Sequence, residues 1–471
     1  MPDKQLSSLR EALIACGAKD GMTLSFHHHL RNGDFVLNKV LVACELLGLR
    51  DLHINASSLF DVHAPLIEWI RKGVVSHLEC NYMGSVIGKE ISHGLLKDPV
   101  IFRTHGGRPA DIATGQSPID IAFIAAPAAD CMGNISGKYG PSACGSLGYA
   151  FADAAYAEKV VAVTDYLVPY PMADYSIAET EVDYVVKIDR IGDPSGIVSG
   201  TTQITRDPIG LMMARYACQV IEASGLLKDG FSFQTGAGGA SLATAAFLKE
   251  IMLEKKITGS FGMGGITGYL VNMLESGCFE SLMDVQCFDL EAVRSIRENP
   301  RHREVSALKY AAPRPAVRSS LVDSLDVVIL GATEMDTHFN VNVHTNSSGE
   351  IMGGSGGHSD TAAGAKLAMI VAPLIRARMP LVSEEIACIS TPGESIDCLV
   401  TQYGIAVNPR REDLRLRLKD AGLPVVDIED LRLKAESLSG RPAPLSKSGR
   451  VVGKVRYRNG EIISEIHECL S

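Results

Sequence analysis

The chain has 471 residues, 46% of them hydrophobic, and a formal net charge of −10. That length holds roughly two to four domains with sizeable cores. The acidic balance argues against a general nucleic-acid binder, though a local cluster of Arg or Lys can still take an anionic small substrate. Eleven scattered cysteines without a CxxC pair fit reduced thiols in a cytoplasmic protein. No signal core and no membrane-length apolar run is present, so no membrane association is expected.

In chain order, Met22 to Phe26 reads as a strand, Asp34 to Leu47 as a helix after the Gly33 turn, and Leu52 to Asn55 and Val74 to Leu78 as further strands. Ala122 to Ala126 and Val160 to Thr164 are apolar runs of the kind covered on both faces of a sheet. An amphipathic helix from Gly210 to Ser224 occupies the stretch 206–229. Phe231 to Gln234 then opens a second series, with a helix over Ser241 to Glu254 and buried strands at Val327 to Leu330 and Met369 to Ala372. After Pro409 a charged stretch, with Pro442 and Pro444, reads as a surface-covering tail. This alternation favours an α/β fold with mostly parallel sheets flanked by helices.

The two series repeat each other. Asp120, Asp130 and Asn134 recur as Asp326, Asp336 and Asn340 at an offset of 206, and Lys19-Asp20-Gly21 recurs as Lys228-Asp229-Gly230 at 209. So long a period fits two copies of a domain-sized lobe, and such lobes place ligands where they meet. The repeated Asp and Asn read as residues that fix turns.

Three glycine clusters mark the second half: Gly236-Ala237-Gly238-Gly239, Gly262-Met263-Gly264-Gly265 and Gly353-Gly354-Ser355-Gly356-Gly357. Each is either a tight turn or a place where backbone approaches a ligand closely and offers it N–H donors. A dinucleotide fingerprint fails at Ser241, and a P-loop fails across Gly133 to Tyr139. Glu334, Asp336, His338, Asn340, Asn342 and His344 alternate with apolar residues, Thr337 aside; an extended strand would put all six on one face, as would a solvated edge strand. His27-His28-His29-Leu30-Arg31 follows the first strand, where the repeat places Gly236 to Gly239. The histidine run is either incidental or faces that glycine loop. Arg103, His105, Arg108 and Lys138 are either solvated or, together, a site for a polycarboxylate. No metal is expected, for want of ligand spacing.

Gly353 to Asp360, preceded by Glu334-Met335-Asp336 and Phe339-Asn340-Val341-Asn342, resembles the CoA-transferase superfamily, as does the strand-loop-helix Phe233 to Gly239. Ser25 to Leu37 and the Gly-Gly-Ser-Gly-Gly-His-Ser-Asp stretch resemble one branch of it, the citrate lyase alpha subunits. The resemblance implies two pseudo-symmetric lobes of the NagB/RpiA/CoA transferase-like type, taken here as 1–215 and 216–471, the second with the C-terminal tail. It implies exchange of acetate for citrate on a CoA-like thiol borne by an acyl-carrier (gamma) subunit, with acetyl-CoA as surrogate, and a beta subunit that cleaves the citryl thioester. A homo-oligomer without a resident cofactor is expected.

The residues so implicated are Gly238, Gly239, Gly356 and His358 for oxyanion stabilisation and positioning. Gly236, Ala237, Gly262, Gly264, Gly265, Gly353, Gly354, Gly357 and Asp360 are expected against the acyl carrier. For citrate they are His28, His29, Arg31, Arg108, Asn134 and Lys138. Many relatives in the superfamily carry a nucleophilic glutamate on a loop that here reads Thr258 to Gly265, without a carboxylate. An acetate CoA-transferase or acetyl-CoA hydrolase is a competing reading, weakened by that lack. A non-catalytic effector-binding sensor is another, without the DNA-binding helix-turn-helix that would accompany it.

Overall fold

A computed structural model describes residues 3–198, 203–236, 238–441 and 449–469. Two sheets dominate it. The first runs in the order Gln5–Leu6, Tyr184–Lys187, Lys159–Thr164, Ile121–Ala126, Thr23–Phe26, Leu52–Ala56, Val75–Cys80, Val100–Phe102, Val451–Arg456, Ile462–His467. All neighbours are parallel except the last pair. The second runs His302–Glu304, Phe279–Cys287, Gly259–Ile266, Ser232–Thr235, Val327–Leu330, Leu367–Val371, Cys398–Thr401, Gly404–Val407, Val425–Val426. There Cys398–Thr401 and Gly404–Val407 form the one antiparallel pair.

The repeat is a repeat of topology. Thr23–Phe26 lies between Leu52–Ala56 and Ile121–Ala126, and Ser232–Thr235 lies between Gly259–Ile266 and Val327–Leu330. Asp120 accepts from Thr23 N at 2.6 Å, and Asp326 accepts from Ser232 N at 2.9 Å, so the same carboxylate pins the same strand start in both lobes. Asp130 Oδ1 accepts from Met132, Gly133 and Asn134 N, and Asp336 Oδ1 accepts from His338 and Asn340 N. Each Asn then donates back to Oδ2 of its Asp at 2.8 Å. The repeated Asp and Asn are turn-fixing residues. Side-chain capping of the loop backbone leaves the chain free to leave the sheet in a set direction.

Three expectations need correction. Pro208–Ser224 is one helix, started by Asp207 capping Gly210 N and Pro208 in its first turn and stopped at Gly225 with φ 78°. It packs on the helix Gly239–Lys255 and on the second sheet. A boundary at 215/216 would cut it, so the lobes change over before Pro208.

The C-terminal stretch is not a covering tail of the second lobe. Val451–Arg456 pairs in parallel with Val100–Phe102 and extends the first sheet, and Ile462–His467 forms its edge. Val452, Val455 and Ile466 in it are buried. Pro442 and Pro444 lie outside the described residues.

The segment 334–344 is not one extended strand. Glu334–Asp336 and Val341–Asn342 pair antiparallel around the Asp336–Asn340 turn, with Phe339 at φ 66°, so its polar residues do not share one face. Nor is it a solvated edge: Glu334, Asp336, Asn342 and His344 are buried.

Candidate active site

In an open parallel sheet the ligand crevice lies off the carboxyl ends of the strands, where successive loops diverge. The carboxyl ends of the two sheets meet here. On the first side stand His27 to His29, Ser57, Asn81 and Arg103 to His105; on the second stand Gly236, Thr267, Phe288 and Gly331. Contacts cross between them. Gln286 Nε2 donates to the His28 carbonyl at 2.8 Å, His105 N donates to Gly356 O at 2.8 Å, and Met83 N donates to Gly353 O at 3.0 Å.

The histidine run is buried and engaged. His27 Nε2 accepts from Ala125 N at 3.1 Å and His29 Nε2 from Tyr149 N at 3.2 Å, which puts the proton of each neutral ring on Nδ1. His28 Nδ1 lies 2.6 Å from Ser57 Oγ, and its ring stacks with Tyr149 and His105 at centroid distances of 4.8 and 5.6 Å. Burial pushes His27 down to about 4 and His105 to about 3, and takes His28 and His29 well below the ordinary imidazole value; neighbouring imidazoles and Arg31 add to the shift at His28. These rings are neutral, uncharged walls. They bring no positive charge to the cleft.

Arg31 does. Its guanidinium lies 4.6 Å from the Phe288 ring centroid and 5.6 Å from that of Phe60, so an aromatic residue of each lobe grips it. Its backbone sits at φ 52°, and among the described residues its one polar side-chain contact is the Ile197 carbonyl at 3.4 Å. Among the described residues no carboxylate lies within ion-pair distance of it. Tyr82 and Tyr149 face it, and Tyr82 packs on Phe60.

The other expected citrate residues lie elsewhere. Arg108 is 2% exposed, with Nε donating to Asn55 Oδ1 at 2.6 Å and Nη2 paired to Asp153 at 3.0 Å; it is a core ion pair. Asn134 is spent on Asp130 and Glu179, and Lys138 pairs with Asp174 at 2.9 Å. Apart from the local Asn134–Asp130 turn, polar residues that sequence reading cannot distinguish from solvated ones are consumed by partners distant in the chain.

Most of the glycines serve close packing. A Cβ on Gly354 would stand 2.2 Å from Asn81 O, on Gly353 2.3 Å from Val343 O, on Gly357 2.8 Å from Tyr310 Oη, and on Gly356 (φ 51°) 3.1 Å from His105 Nε2. This cluster brings the lobes' backbones together. Gly262, Gly264 and Gly265 lie inside the strand Gly259–Ile266, not on a loop, and meet Leu282, Gln234 and the Phe288 ring. Gly239 is close against Gln203 and Thr205.

Gly236 and Gly238 differ: among the described residues a Cβ there meets nothing nearer than 3.7 and 4.0 Å, and Gly331 beside them is open. Gly238 caps the 17-residue helix Gly239–Lys255, and among the described residues no side chain caps its first N–H groups. A helix start of this kind is suited to an anion or oxyanion. Ala237 lies outside the described residues.

His358 and Asp360 are structural ties. Nδ1 of His358 faces Thr391 Oγ1 at 2.7 Å and Nε2 faces Gly331 O at 2.9 Å, and burial lowers the ring to about 4. Asp360 accepts from Thr104 Oγ1 at 2.9 Å and Gly106 N at 2.8 Å in the other lobe, and faces Arg458 at 3.4 Å.

Buried carboxylates near the junction are likewise engaged: Glu334 accepts from Asn342 at 3.1 Å and Asp284 pairs with His302 at 3.0 Å. Glu275, the nearest glutamate after the glycine strand, pairs with Arg294 at 2.7 Å on an exposed surface. Sequence reading missed Phe60, Tyr82, Tyr149, Gln234, Gln286, Phe288 and Tyr310. Several follow strand ends directly, and extending the repeat from one strand end to its neighbours would have reached Tyr82 and Phe288.

Known proteins agree with this architecture. The family model "Citrate lyase, alpha subunit (CitF)" matches residues 2–469. The citrate lyase alpha chain of Klebsiella pneumoniae is 47% identical over 465 residues, covering 99% of this chain and 91% of that one; the Escherichia coli chain is 46% identical with the same coverage. A solved citrate lyase alpha subunit of Streptococcus mutans, in complex with citrate, has a TM-score of 0.97 at 45% identity, covering 100% of this chain and 92% of that one. A malonate decarboxylase alpha subunit of Acinetobacter baumannii shares the fold at TM-score 0.68 and 18% identity, covering 94% of each chain. Among the described residues no helix is long and apolar enough to cross a membrane. The chain belongs to the citrate lyase alpha-subunit family.

Proposed function

We propose that this chain is the acyl-transfer subunit of a citrate lyase. It exchanges acetate for citrate on the thiol of an acyl carrier subunit: acetyl carrier plus citrate gives citryl carrier plus acetate. The CoA-like group is then a substrate that arrives on the gamma subunit, and a beta subunit takes the citryl thioester onward. The observation that carries this reading is Arg31, a cation gripped by an aromatic ring of each lobe and without a carboxylate partner among the described residues. A half-buried guanidinium of that kind favours a carboxylate ligand. The citrate complex of the Streptococcus mutans protein supports the same ligand class.

The mechanism follows from which groups are free. A carboxylate of citrate attacks the acetyl carbonyl, the C–S bond breaks, and the products are a citric–acetic anhydride and the carrier thiolate. The thiolate attacks the citryl carbonyl of that anhydride, and the bond to acetate breaks as acetate leaves. No proton is gained or lost overall. The uncapped N–H groups at Gly238 and the start of the helix Gly239–Lys255 are suited to the oxyanion of each tetrahedral state, whereas neutral imidazoles and aromatic rings wall the cleft and keep water from the anhydride. Glu334, Asp360 and Asp284 are held in other contacts, so citrate itself is the nucleophile. Incubation with acetyl-CoA as surrogate and labelled citrate tests this. Appearance of citryl-CoA and free acetate in equal amounts is expected; hydrolysis of acetyl-CoA without citryl-CoA would favour the hydrolase reading instead.

A further inference from the structure

His53 and His77 stand directly opposite each other on the parallel strands Leu52–Ala56 and Val75–Cys80, at the amino end of the first sheet. Ser57 follows His53 by four positions along the strand (57 − 53), so this cluster lies about 13 Å from the crevice end. The two imidazole centroids are 4.2 Å apart. One ligand atom each from Asp51, His53 and His77 falls within 4.8 Å of the others. Neutral imidazoles are the form that binds metal.

The surroundings resemble the outer shell of a metal site. His77 is held on both nitrogens, by Ser76 Oγ at 2.9 Å and by Asp98 at 3.1 Å. A cation bound at one nitrogen releases one of these contacts and keeps the other to orient the ring. Asp51 holds a left-handed backbone at φ 58°, with its N–H donated to Gly73 O, and this fixes the start of the strand next to the pair. Tetrahedral Zn²⁺ with bonds of about 2.0–2.2 Å needs donors roughly 3.3–3.5 Å apart. The donors of this cluster lie within 4.8 Å of one another, so binding requires them to close to that spacing.

We infer that Asp51, His53 and His77 form a peripheral site for a borderline divalent transition metal such as Zn²⁺, separate from the acyl-transfer cleft. Two imidazoles and one carboxylate select that class over Mg²⁺ or Ca²⁺, which take oxygen ligands. The remaining coordination position is open to water or to Asp98. The sequence conceals the site because its histidines are 24 positions apart (77 − 53), a spacing that matches no ligand motif, and only strand register joins them.

The test is titration of untagged, chelator-stripped protein with ZnCl₂, followed by calorimetry, with MgCl₂ in parallel. One equivalent of Zn²⁺ per chain at micromolar affinity is expected, with no Mg²⁺ heat. H53Q and H77Q should each weaken binding tenfold or more, and D51N less. Thermal melts guard against misfolded variants: Zn²⁺ should raise the Tm of the parent, while H53Q should keep the metal-free Tm and lose the rise. No binding at 100-fold higher Zn²⁺, or equal binding by an H53Q/H77Q double variant, would overturn the assignment. So would Mg²⁺ competing equally with Zn²⁺.

Discussion

Gln286 Nε2 donates to the carbonyl oxygen of His28 at 2.8 Å, joining the end of a strand in the second lobe to the loop that follows the first strand of the first lobe. Both residues are buried, so the bond is made where water cannot replace it. It sets the register in which Phe288 of one lobe and Phe60 of the other close on Arg31. Gln286→Leu removes the donor and leaves the His28 carbonyl unsatisfied. A loss of about 1–3 kcal/mol is expected in urea unfolding, with turnover reduced further than stability alone explains.

Arg31→Ala should raise the citrate requirement by roughly 10- to 100-fold, the range for losing a hydrogen bond to a charged group, and leave that for the acyl thioester nearly unchanged. Arg31→Lys should rescue only part, because an ammonium cannot stack between Phe60 and Phe288 as a planar guanidinium does. Steady-state kinetics with each substrate varied separately checks the split. Arg108→Ala behaves differently: it strands Asp153 in the core and should lower stability instead of shifting one KM.

Glycine substitutions separate packing from chemistry. Gly354→Ala forces a Cβ to 2.2 Å from Asn81 O and should destabilise the lobe junction by about 1–3 kcal/mol or more. Gly238→Ala has room and an ordinary φ of −74°, so the fold should hold. A bulkier Gly238→Val should lower turnover by crowding the helix start while the melting curve stays near that of the parent.

Acid sensitivity has two opposing contributions. His27 at about 4 and His105 at about 3 lie below their unfolded value because burial disfavours the cation. Between roughly pH 6.5 and 4 the unfolded chain therefore binds more protons, and the stability these rings contribute above about 6.5 is lost as pH falls. Asp360 runs the other way. Burial raises it to about 6, so from about pH 4 to 6 the folded chain binds the extra proton and stability falls as pH rises. Asp360→Asn should therefore be most damaging near pH 4 and least near pH 7. Urea midpoints of both proteins across that range check it; parallel curves would contradict it.

The fold was legible in the sequence wherever a signal is local. The Asp130–Asn134 and Asp336–Asn340 turns close alike because an Asx cap needs only residues a few positions away, whereas Asp120 and Asp326, which pin strand starts at Thr23 and Ser232, were legible only as members of the repeat. What the sequence hid is non-local. Arg108 reads as a surface cation until Asn55 and Asp153 are brought to it. The glycines of 353–357 read as a ligand loop, but Asn81, His105 and Tyr310 fill the space a Cβ would need. Val451–Arg456 reads as a charged tail, since its parallel partner Val100–Phe102 lies far upstream.

The central claim is direct displacement by citrate, without an acyl-enzyme. Initial rates measured over a matrix of acetyl-CoA and citrate concentrations address it most directly. The account predicts intersecting double-reciprocal lines, because both substrates must be bound together, and no glutamate that hydroxylamine captures after exposure to acetyl-CoA alone. Parallel lines, with a captured glutamate such as Glu334, would contradict it.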